Sequence, residues 1–217
     1  MTHPVITDVT NRIAMGSAEQ RDRYLERTAA AAENGPARGR LACANLAHGF
    51  AASDTRDKSA NEVPEILVGA GTVVGTTQPK QALAAGAQFL VSPGSTPDLR
   101  AAMRDTGLPH LPGVATVSEV MALLEDSYTD MKFFPAEAAG GAAYLRAIHS
   151  PVPSARFCPT GGITPTNIAE YLKTPNVGCV GGSWLTPADA VERGDWGRIS
   201  SLAAVALETR QPYDARV

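Results

Sequence analysis

From about residue 61 onward the chain repeats one unit. An apolar, β-rich run ends in Gly, Pro or Thr, and an Ala/Leu-rich stretch with helical periodicity follows. The strand-like runs are 66–73, 88–92, 110–115, 130–134, 155–159 and 177–183, and their starts are 22, 22, 20, 25 and 22 residues apart. That spacing fits one strand, one helix and two short connections, repeated without interruption. The helical stretches between them are 78–85, 97–105, 117–125, 142–149 and 165–172, and 196–209 reads as a closing amphipathic helix. Two of them carry start signals: Ser95-Thr96-Pro97 and Thr164-Pro165 place a hydroxyl before a proline, as at an N-cap and the first helical position. Repeated right-handed βα units give either an open doubly wound sheet or a closed barrel. Equal spacing favours the α/β barrel of the TIM (β/α)8 type.

A full barrel needs eight units, and only six are visible. Counting back by 22 residues, strands should begin near positions 44 and 22. Around 22 the chain instead reads as a charged helix, from Ala18 to Glu33, stopped by Asn34-Gly35-Pro36. Near 44 the run Leu41-Ala-Cys-Ala-Asn-Leu-Ala-His48 is small and weakly apolar, compatible with a helix or a poor strand. The expectation is therefore a barrel incomplete at its N-terminus. It divides into a helical segment over 1–60 and a barrel portion over 61–217, with residues 1–34 helical and 41–47 available as a makeshift strand across the gap.

Within the repeats, Asp130-Met-Lys-Phe-Phe-Pro-Ala-Glu137 is the most informative segment. The chain has four lysines, Lys58, Lys80, Lys132 and Lys173, and only Lys132 lies inside an apolar strand. Alternation puts Lys132 and Phe134 on one face and Met131 and Phe133 on the other. Desolvation disfavours a charged amine, and a neutral amine in a dry pocket can add to a ketone and form a Schiff base. The competing reading is a strand-end lysine that snorkels to solvent.

Two Gly-Gly turns follow later strands: Phe157-Cys-Pro-Thr-Gly-Gly-Ile163 and Val180-Gly-Gly-Ser-Trp184. Glycine lets backbone N–H groups approach an anion, and consecutive strand ends of this kind commonly hold phosphate in such barrels. The same glycines could simply make tight strand–helix turns. Thr72, in Val68-Gly-Ala-Gly-Thr-Val73, could donate to a carboxylate or merely cap a strand end. Val91-Ser-Pro-Gly94, which contains Pro93, and Leu111-Pro-Gly113 shape the same rim.

Composition narrows the remaining classes. Net charge is −3 without any Lys/Arg run, which argues against nucleic acid. No apolar run reaches the length of a membrane span, and the N-terminus lacks signal-peptide features. The three cysteines, Cys43, Cys158 and Cys179, have no framework spacing, so a reducing cytoplasm is expected.

Taken together, Glu62-Val-Pro-Glu65, Val68-Gly-Ala-Gly-Thr-Val73, Val91-Ser-Pro-Gly94, Leu111-Pro-Gly113, Lys132-Phe-Phe-Pro-Ala-Glu137, Phe157-Cys-Pro-Thr-Gly-Gly162 and Gly181-Gly-Ser-Trp-Leu185 closely resemble 2-keto-3-deoxy-6-phosphogluconate (KDPG) aldolase. The resemblance covers residues 61–210. It implies a class I aldolase of the Entner–Doudoroff pathway that cleaves a phosphorylated sugar acid. Lys132 would be its Schiff-base lysine, Thr72 its carboxylate contact, and Gly161, Gly162, Gly182 and Ser183 its phosphate site. Pro93, Phe134 and Glu137 would line the pocket. It further implies a homotrimer with no metal and no cofactor.

Residues 5–58 resemble something else. Val9-Thr-Asn-Arg-Ile13, Arg21, Tyr24-Leu-Glu-Arg27, the stretch Arg40-Leu-Ala-Cys-Ala-Asn-Leu-Ala-His-Gly-Phe-Ala-Ala52 and Asp57-Lys58 are similar to the N-terminus of 6-phosphogluconate dehydratase, an iron–sulfur enzyme. Cys43 alone cannot hold a cluster, so dehydratase activity is not expected. The aldolase family carries its base glutamate in a Glu-Val-Thr stretch on the second strand, followed by a substrate-binding arginine. At that distance before Thr72 this chain offers only Ala44 and His48. Glu137 remains as a candidate proton relay.

Overall fold

The structure, a computed structural model, describes residues 5–8, 40–44, 66–185, 187–193, 195, 197–198 and 201–202. Its strands are β1 (Val5–Asp8), β2 (Arg40–Ala44), β3 (Ile66–Ala70), β4 (Leu90–Val91), β5 (His110–Leu111), β6 (Gly113–Val114), β7 (Asp130–Phe133), β8 (Arg156–Pro159) and β9 (Val180–Gly181). All of their pairings are parallel. β5 and β6 are two halves of the single run expected over 110–115. Proline has no N–H to donate to a ladder, and Pro112 interrupts this one. Its carbonyl still accepts from Lys132 N, at 2.8 Å.

The ring of strands closes, which corrects the expectation of a barrel left open at its N-terminus. β1 pairs with β2 on one side and with β9 on the other, and β2 pairs with β3 along its whole length. β8 meets β9 through the bridges Phe157↔Val177 and Thr160↔Gly181. Val5–Asp8 is strand where helix was expected over 1–34. The charged helix from Ala18 to Glu33 lies outside the described residues. Arg40–Ala44 is the makeshift strand foreseen in 41–47. The physical reason is backbone hydrogen bonding. Strands β3 and β9 would otherwise present unpaired edges, and β1 and β2 satisfy them, β2 with little β propensity of its own.

The helices are α1 (Gln78–Ala84), α2 (Pro97–Arg104), α3 (Val117–Glu125), α4 (Gly141–His149), α5 (Ile168–Leu172) and α6 (Ala188–Arg193). α2 begins as its sequence suggests: Thr96 Oγ1 accepts from Leu99 N at 3.2 Å and Pro97 occupies the first turn. α3 begins with a reciprocal box, Thr116 accepting from Glu119 N while the Glu119 carboxylate accepts from Thr116 N. α5 departs from expectation. Pro165 does not start it. Residues 165–167 form a turn, with Asn167 Oδ1 accepting from Thr164 N at 2.8 Å, and the helix begins at Ile168. Of the closing helix expected over 196–209, residues 197, 198, 201 and 202 are helical and the others lie outside the described residues.

Apolar side chains sort by strand alternation. Met131, Phe133 and Phe157 face outward into a core with Leu145, Ile148, Ile168 and Tyr171. Ala70, Val73 and Leu90 pack against Ala82, Leu99 and Met103 of α1 and α2. The opposite parity, which includes Phe89, Val91, Leu111 and Lys132, points into the barrel.

Candidate active site

Lys132 sits on β7, between Gly113 of β6 and Cys158 of β8 in the sheet register. Its neighbours Met131 and Phe133 are committed to the helix-facing core, where Phe133 stacks on Tyr144 at 5.4 Å. The lysine therefore points into the barrel interior, and it is only 4% exposed. That excludes the snorkelling alternative. Its Nζ lies 4.8 Å from the centroid of the Phe134 ring, confirming that the two share a face. Lysine is almost never this buried without a specific role or partner. An amine fixed on a strand beside an aromatic wall has the position of a nucleophile toward a carbonyl.

Because every strand is parallel, the segments following β3, β4, β6, β7, β8 and β9 share one rim. Thr72 is half-buried just beyond β3, and the next residue is tied to β4 by Val73 N donating to Val91 O at 3.0 Å. Pro93 is half-buried beyond β4. It presses directly on β6: a Cβ at Gly113 would lie 2.1 Å from the Pro93 carbonyl oxygen. Gly113 is the residue opposite Lys132, so Pro93 is one strand away from the amine.

Both Gly-Gly turns lie at one level, because the bridge Thr160↔Gly181 sets Gly161 beside Gly182. Gly161 and Gly162 have φ of +97° and +80°, a region that disfavours side chains. A Cβ at Gly161 would sit 3.3 Å from the Phe134 ring and from Pro135 Cα. A Cβ at Gly182 would lie 2.6 Å from the Trp184 indole. Ser183 is exposed and opens the short 3-10 turn Ser183–Leu185. The phosphate-site candidates are thus neighbours, and three of the four carry no side chain.

Glu137 follows the lysine strand, within the turn that the chain makes over residues 134–140. Its backbone N donates to Gly161 O at 3.1 Å, and Ala136 N donates to Thr160 O at 2.9 Å. Its carboxylate oxygen Oε1 accepts from the Tyr171 hydroxyl of α5. Burial, that hydrogen bond and the nearby Glu137 and Glu170 charges push the Tyr171 phenol well above its usual range. The sequence reading missed Tyr171, because on the helical repeat it is simply an apolar core position. It also missed a second polar chain, in which His110 Nε2 lies 3.1 Å from Ser92 Oγ and His110 Nδ1 lies 3.2 Å from the Tyr128 hydroxyl. Burial and the Arg100 and Arg104 charges lower His110 to about 4. This chain anchors the Pro93 segment from the helix side.

β2 reads Arg-Leu-Ala-Cys-Ala, and its last residue, Ala44, is opposite Ala70. No carboxylate stands on this strand, and His48 lies outside the described residues. Among the described residues no group of three His, Cys, Asp or Glu is placed to hold a metal ion. No described helix is long and apolar enough to cross a membrane.

Residues 44–202 match the family described as "Aldolase: KDPG and KHG aldolase". The chain is 52% identical over 157 residues to a 2-dehydro-3-deoxy-phosphogluconate aldolase of Pseudoalteromonas atlantica, covering 72% of this chain and 73% of that protein. Its structure is similar to that of KDPG aldolase from Legionella pneumophila with pyruvate captured at low pH as a covalent carbinolamine intermediate. The TM-score is 0.80 at 38% identity, over 95% of this chain and 94% of that one. It is similar as well to the 2-keto-3-deoxy-6-phosphogluconate aldolase of Zymomonas mobilis ZM4 with 3-phosphoglycerate. There the TM-score is 0.80 at 35% identity, over 97% and 94% of the two chains.

Proposed function

The chain belongs to the family of KDPG and KHG aldolases, and from that premise we propose that it cleaves 2-dehydro-3-deoxy-6-phosphogluconate to pyruvate and glyceraldehyde 3-phosphate. The observation that carries this reading is the Lys132 amine, 4% exposed and aimed into the barrel beside Phe134. The amine adds to the C2 ketone and expels water, giving an imine. The C3–C4 bond then breaks. Its electron pair moves into the imine to give an enamine, while the C4 hydroxyl gives up its proton and becomes the aldehyde. Protonation at C3 and hydrolysis release pyruvate and restore the lysine.

In this reading Thr72 binds the substrate carboxylate, and Gly161, Gly162, Gly182 and Ser183 bind the phosphate. Pro93 and Phe134 wall the pocket. The positive φ at Gly161 and Gly162 supports the phosphate role, since it turns bare backbone toward the rim. The enzyme works without metal, as a cytoplasmic homotrimer in the Entner–Doudoroff pathway. Its turnover is impaired, because Ala44 and His48 stand where the family has its glutamate and its arginine. Residues 1–60 descend from a dehydratase N-terminus and 61–217 from the aldolase.

The bareness of β2 also favours a second reading, a non-catalytic relic of that fusion. Borohydride reduction with pyruvate, followed by mass analysis, tests the shared premise. One pyruvyl adduct on Lys132 is expected, and an unmodified Lys132 in folded protein overturns both the imine and the activity. A coupled assay for pyruvate release then separates the two readings.

A further inference from the structure

We propose that Glu137 and Tyr171 are positioning residues that hold the Gly161–Gly162 turn in its anion-binding shape. The proposal deepens the phosphate reading above and rests on it.

The turn leads from β8 toward α5 and lies beside the segment that follows β7. Its backbone is held from the β7 side by Glu137 N donating to Gly161 O at 3.1 Å. From the other side Asn167 Nδ2 donates to Gly162 O at 2.9 Å. Both bonds engage carbonyl oxygens, so the turn's acceptors are occupied and its N–H groups are left for a ligand. The Glu137 side chain then lies flat against the turn: a Cβ at Gly162 would be 2.5 Å from Glu137 Cγ. The carboxylate is locked there by the Tyr171 hydroxyl. Gly141 borders the pair: a Cβ on it would be in ordinary contact, 3.5 Å from the Tyr171 oxygen and 3.6 Å from Glu137 Oε1. Tyr171 itself is immobilised in the core among Phe157, Ile168 and Val177. The chain of contacts thus runs from the core, through one hydroxyl and one carboxylate, to the flank of the turn.

This placement argues against Glu137 as the base that serves Lys132. Its carboxylate is engaged on α5 and Gly162, on the helix side of the rim. A carboxylate beside a phosphate also repels it, so charge alone would make Glu137 a hindrance to binding. A positioning role predicts the opposite sign.

Inorganic phosphate is the probe, titrated calorimetrically into the full chain and into Tyr171→Phe, Glu137→Ala and Glu137→Gln. Tyr171→Phe removes one oxygen and keeps the packed ring, so it reports on the clamp even if Glu137→Ala fails to fold. The expected result is about tenfold weaker phosphate binding in Tyr171→Phe and Glu137→Ala, the scale of one lost hydrogen bond. Glu137→Gln, which keeps the acceptor, stays near the parent. Borohydride trapping of pyruvate on Lys132 should be unchanged in Tyr171→Phe. Unchanged or tighter phosphate binding in Tyr171→Phe and Glu137→Ala overturns the proposal. So does a parallel loss of pyruvate trapping in Tyr171→Phe, or a parent chain that binds no phosphate. Failure of the parent to trap pyruvate would instead sink the aldolase reading and leave the phosphate arm legible.

Discussion

Gly113 stands opposite Lys132 on the neighbouring strand, and a methyl group at Gly113 would lie 2.1 Å from both the carbonyl carbon and the oxygen of Pro93. The obstacle is backbone, which cannot swing aside as a side chain can. Gly113→Ala must therefore push the Pro93 segment or the β6–β7 pair out of place. Overpacking of this kind costs about 1–3 kcal/mol. The expected outcome is a lowered unfolding temperature together with slower pyruvate trapping on Lys132. Full stability and full trapping in Gly113→Ala would show that the Pro93 contact does not set the lysine's position.

His110 makes the fold sensitive to acid. Burial, reinforced by the charges of Arg100 and Arg104, lowers its pKa from 6.5 to about 4. An unfolded chain therefore takes up a proton near the ordinary value, while the folded chain resists until a lower pH. Between those values the unfolded state binds more protons, so stability falls as pH falls. Over the whole window the loss is about 3 kcal/mol. Melting curves from pH 7 to 4.5 should show this decline, and His110→Gln should flatten it. The same slope in both proteins would locate the acid sensitivity elsewhere.

Arg100 ties α2 to the end of α3 and to the rim. Its Nε lies 2.5 Å from Asp126 Oδ2, and its Nη1 donates to Ser95 O at 3.0 Å. The guanidinium side chain is 12% exposed and the Asp126 side chain 32%, so solvent screens this pair less than it would a fully exposed one. Arg100→Ala should cost about 1–2 kcal/mol of stability by losing two charge-assisted bonds. It should also raise the His110 pKa, because one of the two charges opposing protonation is gone. Histidine NMR titration reads that shift directly, and an unmoved His110 would contradict the electrostatic account.

The βα spacing, the inward lysine and both glycine turns were legible because they follow from local pattern. Alternation alone sorts Met131 and Phe133 from Lys132. What escaped has a tertiary cause. Arg40-Leu-Ala-Cys-Ala44 carries little strand signal, and it becomes β2 because β3 offers it an edge. Val5-Ile6-Thr7 is rich in β-formers, but only its pairing with β2 and β9 shows that it closes the ring. α5 starts three residues after Pro165 because the Asn167 side chain takes up the Thr164 N–H and shapes a turn first. Tyr171 reads as a core residue, and it is one. Only its packing against Glu137 reveals that the hydroxyl at its far end has a separate task.

Strand β2 helps close the barrel and carries no carboxylate of its own. β2 provides backbone pairing to β3 over its five residues, and so repairs the edge. It brings no carboxylate to its carboxyl end, where Ala44 is opposite Ala70. On the proposed function, the C4 hydroxyl proton then has no base on this strand, and general-base catalysis is typically worth about 10²–10⁴-fold. The chain should cleave KDPG at least about 10²-fold more slowly than a version whose first 60 residues are replaced by an ordinary aldolase N-terminus. The deficit should fall on kcat, since Lys132, Thr72 and the glycine turns are common to both proteins. Pyruvate trapping on Lys132, which needs no C4 hydroxyl, should differ far less. A coupled assay for pyruvate release, run beside the borohydride experiment, measures both quantities. Equal kcat/KM in the two proteins would mean that another group in this barrel serves as the base, and that closing the ring is enough to restore the enzyme.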